Sequence, residues 1–498
     1  MGEAQPVGAM SAHSRLEWRG NTLQATTRLK ATAIRSGAYA QEVMPSRLVE
    51  LRLSAFKSFH GATLPLGRTT ILIGRNSSGK SNAFDGLEVL ARLAEGEDLA
   101  DALDGRRREG GTVRGGSAGC PPHGSSRFEL GCSVEIDDDR YEYDLTVEVR
   151  PDLRVVAEKL YGPGQAVKSG IISYGPLIET REPGAPGTGI VADIHNGKRG
   201  SNTPYTFRDS RIILSQVPLA LSGTNRAEMS VIRGAKAVLL ALRGIFHLDP
   251  VPHLMRSFIP SRDAELRRTG ENLSAALQRL QRQDVEAFNR VQELVRSVAD
   301  DRVEEITFVA SDLGDVMLSL KEIRGKEAAI ERTPAREMSD GLLRFTAIAT
   351  ALLSSQYGLD VDASVGARTE IDEGEVLRGG VLIVIEELEN GLHPSQARQV
   401  LDLVRSSSKT PGTSVLVTTH SPAILDAAEG SLNENVIVCH RDQETGFSTL
   451  TPLMEIPGYT TALAEGSLGD AAISGKLSGD ADDDPGDYSE FERLLGIR

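Results

Sequence analysis

The sequence predicts an α/β fold organised around a parallel sheet, and three observations support this prediction. An apolar run at 70–73 leads into a glycine-containing loop at 74–81 and then into a helical pattern. Two further apolar runs, at 381–385 and 414–418, read as buried strands with a helical pattern between them. Strands that alternate with helices are typical of parallel sheets, because each crossover between parallel strands needs a long connection.

The segment before this region has no sustained hydrophobic period. Residues 1–45 carry several basic residues, few acidic ones and many alanine, serine and threonine residues. We interpret them as a disordered extension, or as sequence upstream of a start at Met44. A targeting peptide is the alternative, because such peptides share this composition. From Arg47 onward an alternating pattern predicts two strands that lead to the glycine loop.

The loop itself reads Gly-Arg-Asn-Ser-Ser-Gly-Lys-Ser, which is the pattern of a phosphate-binding loop. Its two glycines permit tight turns, so that backbone N–H groups can face phosphate oxygens. The lysine adds a mobile positive charge, and the last serine offers a hydroxyl ligand for Mg²⁺. A glycine turn without a ligand is the plainer alternative, but the flanking strand and helix favour nucleotide binding. The residues predicted to hold the nucleotide are Gly74, Arg75, Asn76, Ser77, Ser78, Gly79, Lys80, Ser81 and Asn82.

The sequence pattern changes twice in the middle of the chain. Residues 105–127 are rich in glycine and basic residues without periodicity, which predicts a mobile loop. Its Arg106–Arg108 run is either solvated or in contact with a phosphate backbone. Alternation over 128–160 predicts an antiparallel β subdomain. Helical patterns return at 231–242, 273–280 and 285–298.

Two acidic residues directly follow the apolar strand that ends at Ile385. A carboxylate at such a strand tip can hold Mg²⁺, and a second one can orient and activate the attacking water. Two adjacent acids repel each other, which a cation between them relieves. A solvated strand end is the alternative, but the phosphate-binding loop favours Glu386 as a metal ligand and Glu387 as a catalytic residue.

A histidine follows the next predicted strand, 33 residues beyond Glu387. His420 is therefore expected at the tip of a neighbouring parallel strand, within reach of a γ-phosphate. A histidine after a strand is more often structural. The repeated placement of polar residues at strand tips nevertheless favours a catalytic role for His420.

Together these motifs resemble the RecF/SMC-like branch of ABC-type ATPases. More narrowly, they resemble the stand-alone ATPases related to the ATPase half of OLD-family proteins, over about 46–476. The motifs that carry the resemblance are Phe56-Lys57-Ser58-Phe59, the loop at 74–81, the runs Met338–Arg344 and Ile385–Pro394, and Thr419–Pro422.

The resemblance implies a P-loop NTPase fold of the ABC/RecF-like type, with an antiparallel β subdomain and an inserted helical lid. It also implies ATP and Mg²⁺ as ligands, and a homodimer in which the signature segment of each subunit completes the nucleotide site of the other. The implied catalytic residues are Lys80, Glu387 and His420, the metal ligands are Ser81 and Glu386, and the signature residues are Ser339, Asp340 and Gly341. The signature departs from the Leu-Ser-Gly-Gly form, and Leu388 replaces a proline that the family usually carries.

These patterns divide the chain into five segments. They are a disordered extension (1–45), the N-terminal part of the ATPase domain (46–240), an inserted helical lid (241–330), the C-terminal part of that domain (331–476) and an acidic tail (477–498).

The composition narrows the functional classes. Hydrophobic residues make up 40% of the chain, the net charge is -15, and no apolar run is long enough to cross a membrane. The three cysteines lack a C-x-x-C spacing, which argues against a disulfide scaffold or a zinc site and favours the cytoplasm. Any contact with nucleic acid is expected to use a local basic patch, since the overall charge is negative.

The leading hypothesis is a cytoplasmic ATPase whose ATP-dependent dimerisation acts on DNA or on a partner protein, in DNA repair or phage defence. One alternative is a nucleotide-sensing scaffold that controls a separate effector such as a nuclease, and another is the ATP-binding subunit of a transporter. Only 78 residues follow His420. We therefore expect no OLD-type nuclease activity from this chain by itself.

Overall fold

The strand before the glycine loop lies inside a parallel sheet, as the sequence predicts. It is β3 (Thr69–Ile73), whose residues are all buried. β3 pairs in parallel with β18 (Thr413–Thr419) on one side and with β19 (Val436–Arg441) on the other. β18 pairs in turn with β17 (Val381–Ile385), and β17 pairs with β10 (Ile245–Leu248). The carboxyl ends of these five strands therefore meet at one edge of the sheet.

The computed structural model describes residues 44–105, 111–299, 303–324, 329–354, 358–366, 369–372, 375–390, 393, 396–428, 432–456, 459 and 467–473. The predicted extension up to residue 43, the Arg106–Arg108 run and the acidic tail from residue 477 lie outside the described residues. Gly391, Leu392 and Pro394, which follow the acidic pair, also lie outside them.

Side chains of the parallel strands alternate between two hydrophobic cores. On β3, Leu72 belongs to one core, whereas Ile71 and Ile73 belong to the other. On β17, Leu382 and Ile383 divide in the same way. Strands of a parallel sheet that is covered on both faces are mostly apolar along their length instead of alternating with polar residues. This explains why these strands read as unbroken apolar runs in the sequence.

The antiparallel strands continue the same sheet. They are β1 (Arg47–Phe56), β2 (Phe59–Pro65), β4 (Arg127–Ile136), β5 (Asp139–Glu148), β6 (Arg154–Gln165), β7 (Ile172–Thr180), β8 (Ile190–Ile194), β9 (Thr203–Phe207) and β20 (Ser448–Pro452). β19 pairs with β20, and β20 meets β2 at a single parallel pair, Phe59 with Ser448. From β2 the order continues through β1 and β4 to β9. The predicted β subdomain is therefore joined to the parallel half through β20 and β2.

Helices pack on this sheet near the glycine loop. The first helix, α1 (Lys80–Ala94), begins at the lysine of the loop and packs against β1. A short helix, α2 (Leu99–Asp104), follows it, and α3 (Ile213–Ala220) precedes α4 (Arg226–Arg243). α4 packs across β4, β5, β6 and β7 and against α1. These helices fix the direction of α1 relative to the sheet.

The inserted segment contains a small sheet in addition to the predicted helices. Its elements are β11 (Ile259–Pro260), α5 (Leu273–Gln283), α6 (Val285–Val298), β12 (Val303–Ala310), β13 (Asp315–Arg324) and β14 (Ala329–Pro334). β13 pairs antiparallel with each of the other three strands. Within the predicted lid range 241–330, β10 belongs to the main sheet, so the inserted elements begin after it.

The remaining elements complete the C-terminal part. They are α7 (Asp340–Leu353), α8 (Ala363–Gly366), β15 (Thr369–Asp372), β16 (Glu375–Leu377), α9 (Ala397–Ser407), α10 (Pro422–Ala428) and α11 (Leu468–Ile473). β15 and β16 pair antiparallel with each other. None of the helices in the described part of the chain combines the length and the apolar composition needed to cross a bilayer.

Candidate active site

The glycine loop connects β3 to α1 and requires both of its predicted glycines. Gly74 has φ 150° and Gly79 has φ 118°, which other residues rarely adopt. A Cβ atom at Gly74 would lie 2.1 Å from the carbonyl oxygen of Cys439, and one at Gly79 would lie 2.4 Å from the Oγ of Ser448. The backbone of the loop therefore runs directly against β19 and the start of β20.

Lys80 folds back over this loop. Its Nζ donates to the carbonyl oxygens of Gly74, at 2.7 Å, and Arg75, at 3.0 Å. Burial lowers the pKa of Lys80, and Cys439 and the nearby carboxylates, including that of Glu387, oppose this effect. The lysine thus stays at the mouth of the loop, where a phosphate-binding ammonium group is expected.

Ser81 and Glu386 meet across the edge of the sheet. The Ser81 hydroxyl donates to Oε2 of Glu386 at 3.2 Å. Desolvation by the surrounding protein raises the pKa of Glu386, while Ser81 and Arg114 counter it. A cation would relieve this cost, and Mg²⁺ is usually held by one or two protein oxygens together with phosphates and water. The pair fits Mg²⁺ in the way that the sequence predicts.

Glu387 is held in an unusual backbone conformation at the end of β17. Its φ is 49°, a value that costs free energy for residues other than glycine. Its N–H donates to Oγ1 of Thr418 at 2.8 Å, and its carboxylate accepts from the side-chain amide of Asn390. These two bonds hold Glu387 in place, and both Glu386 and Glu387 line the same cavity.

His420 lies at the end of β18, between the strands that carry the glycine loop and the acidic pair. Its N–H donates to Oε1 of Glu389 at 2.5 Å. Partial burial and the charge of Lys80 lower the pKa of His420, while Glu389, Glu387 and the backbone of Gly74 oppose this. The net lowering of the pKa favours the neutral form of the ring.

These side chains line one cavity of about 390 Å³. The predicted residues that line it are Asn76, Ser77, Gly79, Lys80, Ser81, Asn82, Glu386, Glu387 and His420. Ser78 is a buried residue of the loop, and its carbonyl oxygen accepts a hydrogen bond from Ser448. Arg75 is exposed at the loop surface, so it contributes its backbone rather than a lining side chain.

Two arginines line the cavity in addition to the predicted residues, namely Arg114 and Arg441. Arg114 donates to Oδ2 of Asp85, at 2.5 Å, and to Oδ1 of Asn82, at 3.0 Å. Lys57 binds the same Asp85 oxygen at 2.6 Å. The described part of the predicted mobile loop, 111–127, is thus anchored to α1, because an acidic residue on the helix holds two cations. Sequence periodicity carries no signal for such a long-range contact.

The predicted signature residues lie elsewhere in the chain. Ser339, Asp340 and Gly341 stand at the start of α7, and none of them lines the cavity. The Ser339 hydroxyl accepts from the N–H of Leu342 at 3.2 Å, which caps the helix. Arg256 donates to Asp340 at 2.6 Å.

Comparison with known proteins identifies the family of this chain. A family model described as "AAA domain, putative AbiEii toxin, Type IV TA system" matches residues 69–208 and 235–426, which is more than half of the chain. The chain belongs to this AAA-domain family. The match includes the glycine loop, the acidic pair and His420. It confirms the resemblance to RecF/SMC-like ATPases, and the AAA-domain protein is a P-loop NTPase with a mixed α/β fold.

Several solved structures are similar to this AAA-domain protein. The SMC head domain from Thermotoga maritima shares 13% identity, with 82% of this chain and 98% of that chain covered and a TM-score of 0.36. A Pyrococcus furiosus Smc head domain bound to the C-terminal domain of ScpA shares 14% identity, with 84% and 99% covered and a TM-score of 0.40. An SmcHead bound to the C-winged helix domain of ScpA shares 14%, with 81% and 97% covered and a TM-score of 0.41. A search of curated protein sequences gives no match.

Proposed function

We propose that this AAA-domain protein binds Mg·ATP and hydrolyses it to ADP and phosphate. The proposal depends on one observation, which is that side chains from three distant parts of the sequence line a single cavity. Lys80 and Ser81 come from the start of α1, Glu386 and Glu387 from the end of β17, and His420 from the end of β18. A phosphate-binding loop opposite two carboxylates is the arrangement that phosphoryl transfer needs.

Each of these side chains has a distinct task in the proposed reaction. Lys80 would bind oxygens of the β- and γ-phosphates. Glu387, held by Asn390 and Thr418, would accept a hydrogen bond from the attacking water and orient it toward the γ-phosphate. The neutral ring of His420 would bind a γ-phosphate oxygen. Magnesium, held by Ser81 and Glu386, would neutralise charge that develops on the phosphates.

We further propose that a second copy of the chain completes the site. The position of Ser339, Asp340 and Gly341 outside the cavity supports this idea, because residues that do not line the cavity of their own subunit are available to a nucleotide bound by another subunit. In such a homodimer ATP would bridge the two subunits, and hydrolysis would remove the bridge.

The proposed biological role is ATP-driven action on DNA or on a partner protein in the cytoplasm. The description of the family mentions a toxin of a type IV toxin–antitoxin system, which supports a defence role rather than repair. It equally supports the alternative function, in which the ATPase senses nucleotide and controls a separate effector. Stimulation of turnover by DNA would favour the first role over the second.

The test is ATP turnover with and without double-stranded DNA for the wild type, Lys80→Ala and Glu387→Gln. We expect Lys80→Ala to lose nucleotide binding, because the cavity loses the ammonium group that lies over the loop. Glu387→Gln should bind ATP normally and turn it over roughly 10²- to 10⁴-fold more slowly, because an amide cannot act as a general base. It should also accumulate as a dimer at saturating ATP.

Three results would contradict parts of this proposal. A wild-type protein without affinity for Mg·ATP would remove the ATPase function altogether. Glu387→Gln that stays monomeric at saturating ATP, as measured by light scattering, would remove the shared site. Turnover that DNA does not change would favour the effector-controlling role.

A further inference from the structure

A second cavity adjoins the candidate active site. Its volume is about 610 Å³, and it shares Asn82 and Arg441 with the phosphate-facing cavity. This volume lies in the range of cavities that bind small organic ligands. Apolar surface in it comes from Pro121, Pro122 and Phe447. A ligand that extends from the glycine loop past Asn82 and Arg441 would therefore enter a partly apolar space.

Phe447 is an aromatic residue that the fold leaves partly exposed. Its side chain is 37% exposed although it is large and apolar. Its ring packs against the ring of His60, with centroids 5.2 Å apart and planes tilted by 34°. His60 thus supports the phenyl ring from β2 while Phe447 still lines the second cavity. Such a supported and partly exposed ring is suited to stacking on a planar group.

The position of Phe447 relative to the glycine loop is fixed by the next residue. The N–H of Ser448 donates to the carbonyl oxygen of Ser58 at 2.8 Å. Its hydroxyl donates to the carbonyl oxygen of Ser78, inside the glycine loop, at 2.6 Å. Ser448 is fully enclosed, with 1% of its surface exposed. The ring and the phosphate-binding loop therefore belong to one hydrogen-bonded unit.

The turn before Phe447 is equally well defined. The carboxylate of Asp442 accepts from the N–H and the hydroxyl of Thr445, each at 2.7 Å. The N–H of Asp442 donates to the carbonyl oxygen of Phe447 at 2.9 Å. The hairpin between β19 and β20 is thus closed by its own hydrogen bonds, and Phe447 does not depend on a ligand for its position.

We propose that Phe447 is the stacking surface for the nucleobase of the bound nucleoside triphosphate. The proposal rests on the proposed ATP-binding function, because it places the base by continuing from the phosphates. Arg441 and Asn82, at the junction of the two cavities, would lie beside the ribose. Pro121 and Pro122 would add apolar contact in the same cavity. Stacking on a phenyl ring is possible for every base, since each base has a π-face.

The test compares two ligands that differ only in whether they carry a nucleoside. Calorimetric titration would give the affinities of Mg·ATP and of inorganic tripolyphosphate with Mg²⁺ for the wild type, Phe447→Ala and Phe447→Tyr. We expect Phe447→Ala to bind ATP roughly tenfold more weakly, because one stacking contact is lost. Its affinity for tripolyphosphate should not change. Phe447→Tyr keeps the aromatic face and should bind both ligands as the wild type does.

Two control variants make the outcomes distinguishable. Met454→Ala removes another exposed apolar side chain just after β20 and should leave both affinities unchanged. Lys80→Ala should lose both ligands. If Phe447→Ala binds ATP as tightly as the wild type while Lys80→Ala does not bind it, the stacking proposal is wrong and the ATPase proposal stands. Equal weakening for both ligands would also overturn the stacking proposal, since it would indicate a distorted loop. If the wild type binds neither ligand, both proposals fail.

Discussion

Glu386 at the edge of the parallel strands and Glu158 in the antiparallel half are two carboxylates with raised pKa values and opposite surroundings. Burial raises the pKa of Glu158 to about 7, against three donors that lower it. These donors are the N–H groups of Ile213 and Leu214, at 2.6 and 2.7 Å, and the hydroxyl of Tyr143, at 3.1 Å. The carboxylate of Glu158 therefore uses both oxygens to hold the start of α3 against β5 and β6.

Glu386 is less completely bonded. Among the described residues, its carboxylate accepts a hydrogen bond from Ser81, and Glu386 lines the cavity. Both carboxylates are costly to desolvate. Among the described residues, three protein donors bond to Glu158, whereas the Ser81 hydroxyl is the donor to Glu386. A carboxylate that is saturated by hydrogen bonds from backbone N–H groups stabilises the fold. A carboxylate with a spare oxygen is available to bind a cation.

The largest expected effect is the loss of ATP turnover in Glu386→Gln. The amide cannot replace the carboxylate as a metal ligand, so Mg²⁺-dependent ATP turnover should fall on the order of 10³-fold, corresponding to several kcal/mol of transition-state stabilisation. The free energy of unfolding without nucleotide should change by less than about 0.5 kcal/mol, because no saturated network is broken. Turnover assays and urea unfolding measure the two quantities. A large loss of stability in this variant would remove the distinction between the two carboxylates.

The opposite result is expected for Glu158→Ala. This change leaves two N–H groups at the start of α3 and the buried hydroxyl of Tyr143 without their acceptor. We expect the free energy of unfolding to fall by about 3 kcal/mol, with the affinity for Mg·ATP unchanged in the folded protein. Glu129→Ala is the matched control, because it removes an exposed glutamate from β4 of the same sheet. Equal stability of the two variants would show that the bonds of Glu158 contribute nothing.

The sequence predicts the residues at the edge of the parallel strands better than it predicts the contacts in the antiparallel half. Lys80, Ser81, Glu386 and His420 were predictable because each directly follows an apolar strand or opens a helix, and parallel strands bring their carboxyl ends together. The role of Glu158 was not predictable, because its two backbone donors, Ile213 and Leu214, lie more than 50 residues away at the start of a helix that no periodic pattern marks. Arg114 was missed for the same reason, since long-range contacts with Asp85 and Asn82 bring it to the site.

The pH dependence of stability provides a third way to separate the antiparallel half from the edge of the parallel strands. The pKa of Glu158 is about 7 in the folded chain against an ordinary value of 4.5. A raised folded pKa means that the protonated form stabilises the fold, so this contribution is complete below pH 4.5 and is lost as the pH rises through 7. We expect a loss of about 2 kcal/mol between pH 5 and pH 8.

The matched variant for this titration is Glu158→Gln, which cannot ionise. Its stability should be lower than that of the wild type at pH 5 and should change less between pH 5 and pH 8. Chemical unfolding at several pH values measures the difference in slope. An identical slope in both proteins would mean that Glu158 titrates alike in the folded and unfolded chains.

The smallest expected loss of stability comes from replacing either of two glycines. Comparing the two replacements separates steric crowding from backbone strain. Gly79 in the phosphate loop and Gly61 in β2 both have positive φ, at 118° and 79°. A Cβ at Gly61 meets nothing within 4 Å, whereas one at Gly79 would lie 2.4 Å from the Oγ of Ser448. Gly61→Ala should therefore cost only backbone strain, about 1 kcal/mol.

Gly79→Ala carries at least as much strain, because its φ lies further from the left-handed region that other residues can adopt. It must in addition displace the Ser448 hydroxyl from Ser78 and Ser58, so we expect at least about 1 kcal/mol more. Thermal unfolding measures both costs, and nucleotide titration should show weaker binding only for Gly79→Ala. Equal costs would mean that Ser448 can move away freely. In that case the loop would be held by α1 and β3 alone, and the hydrogen bonds that join it to β20 would not contribute to its shape.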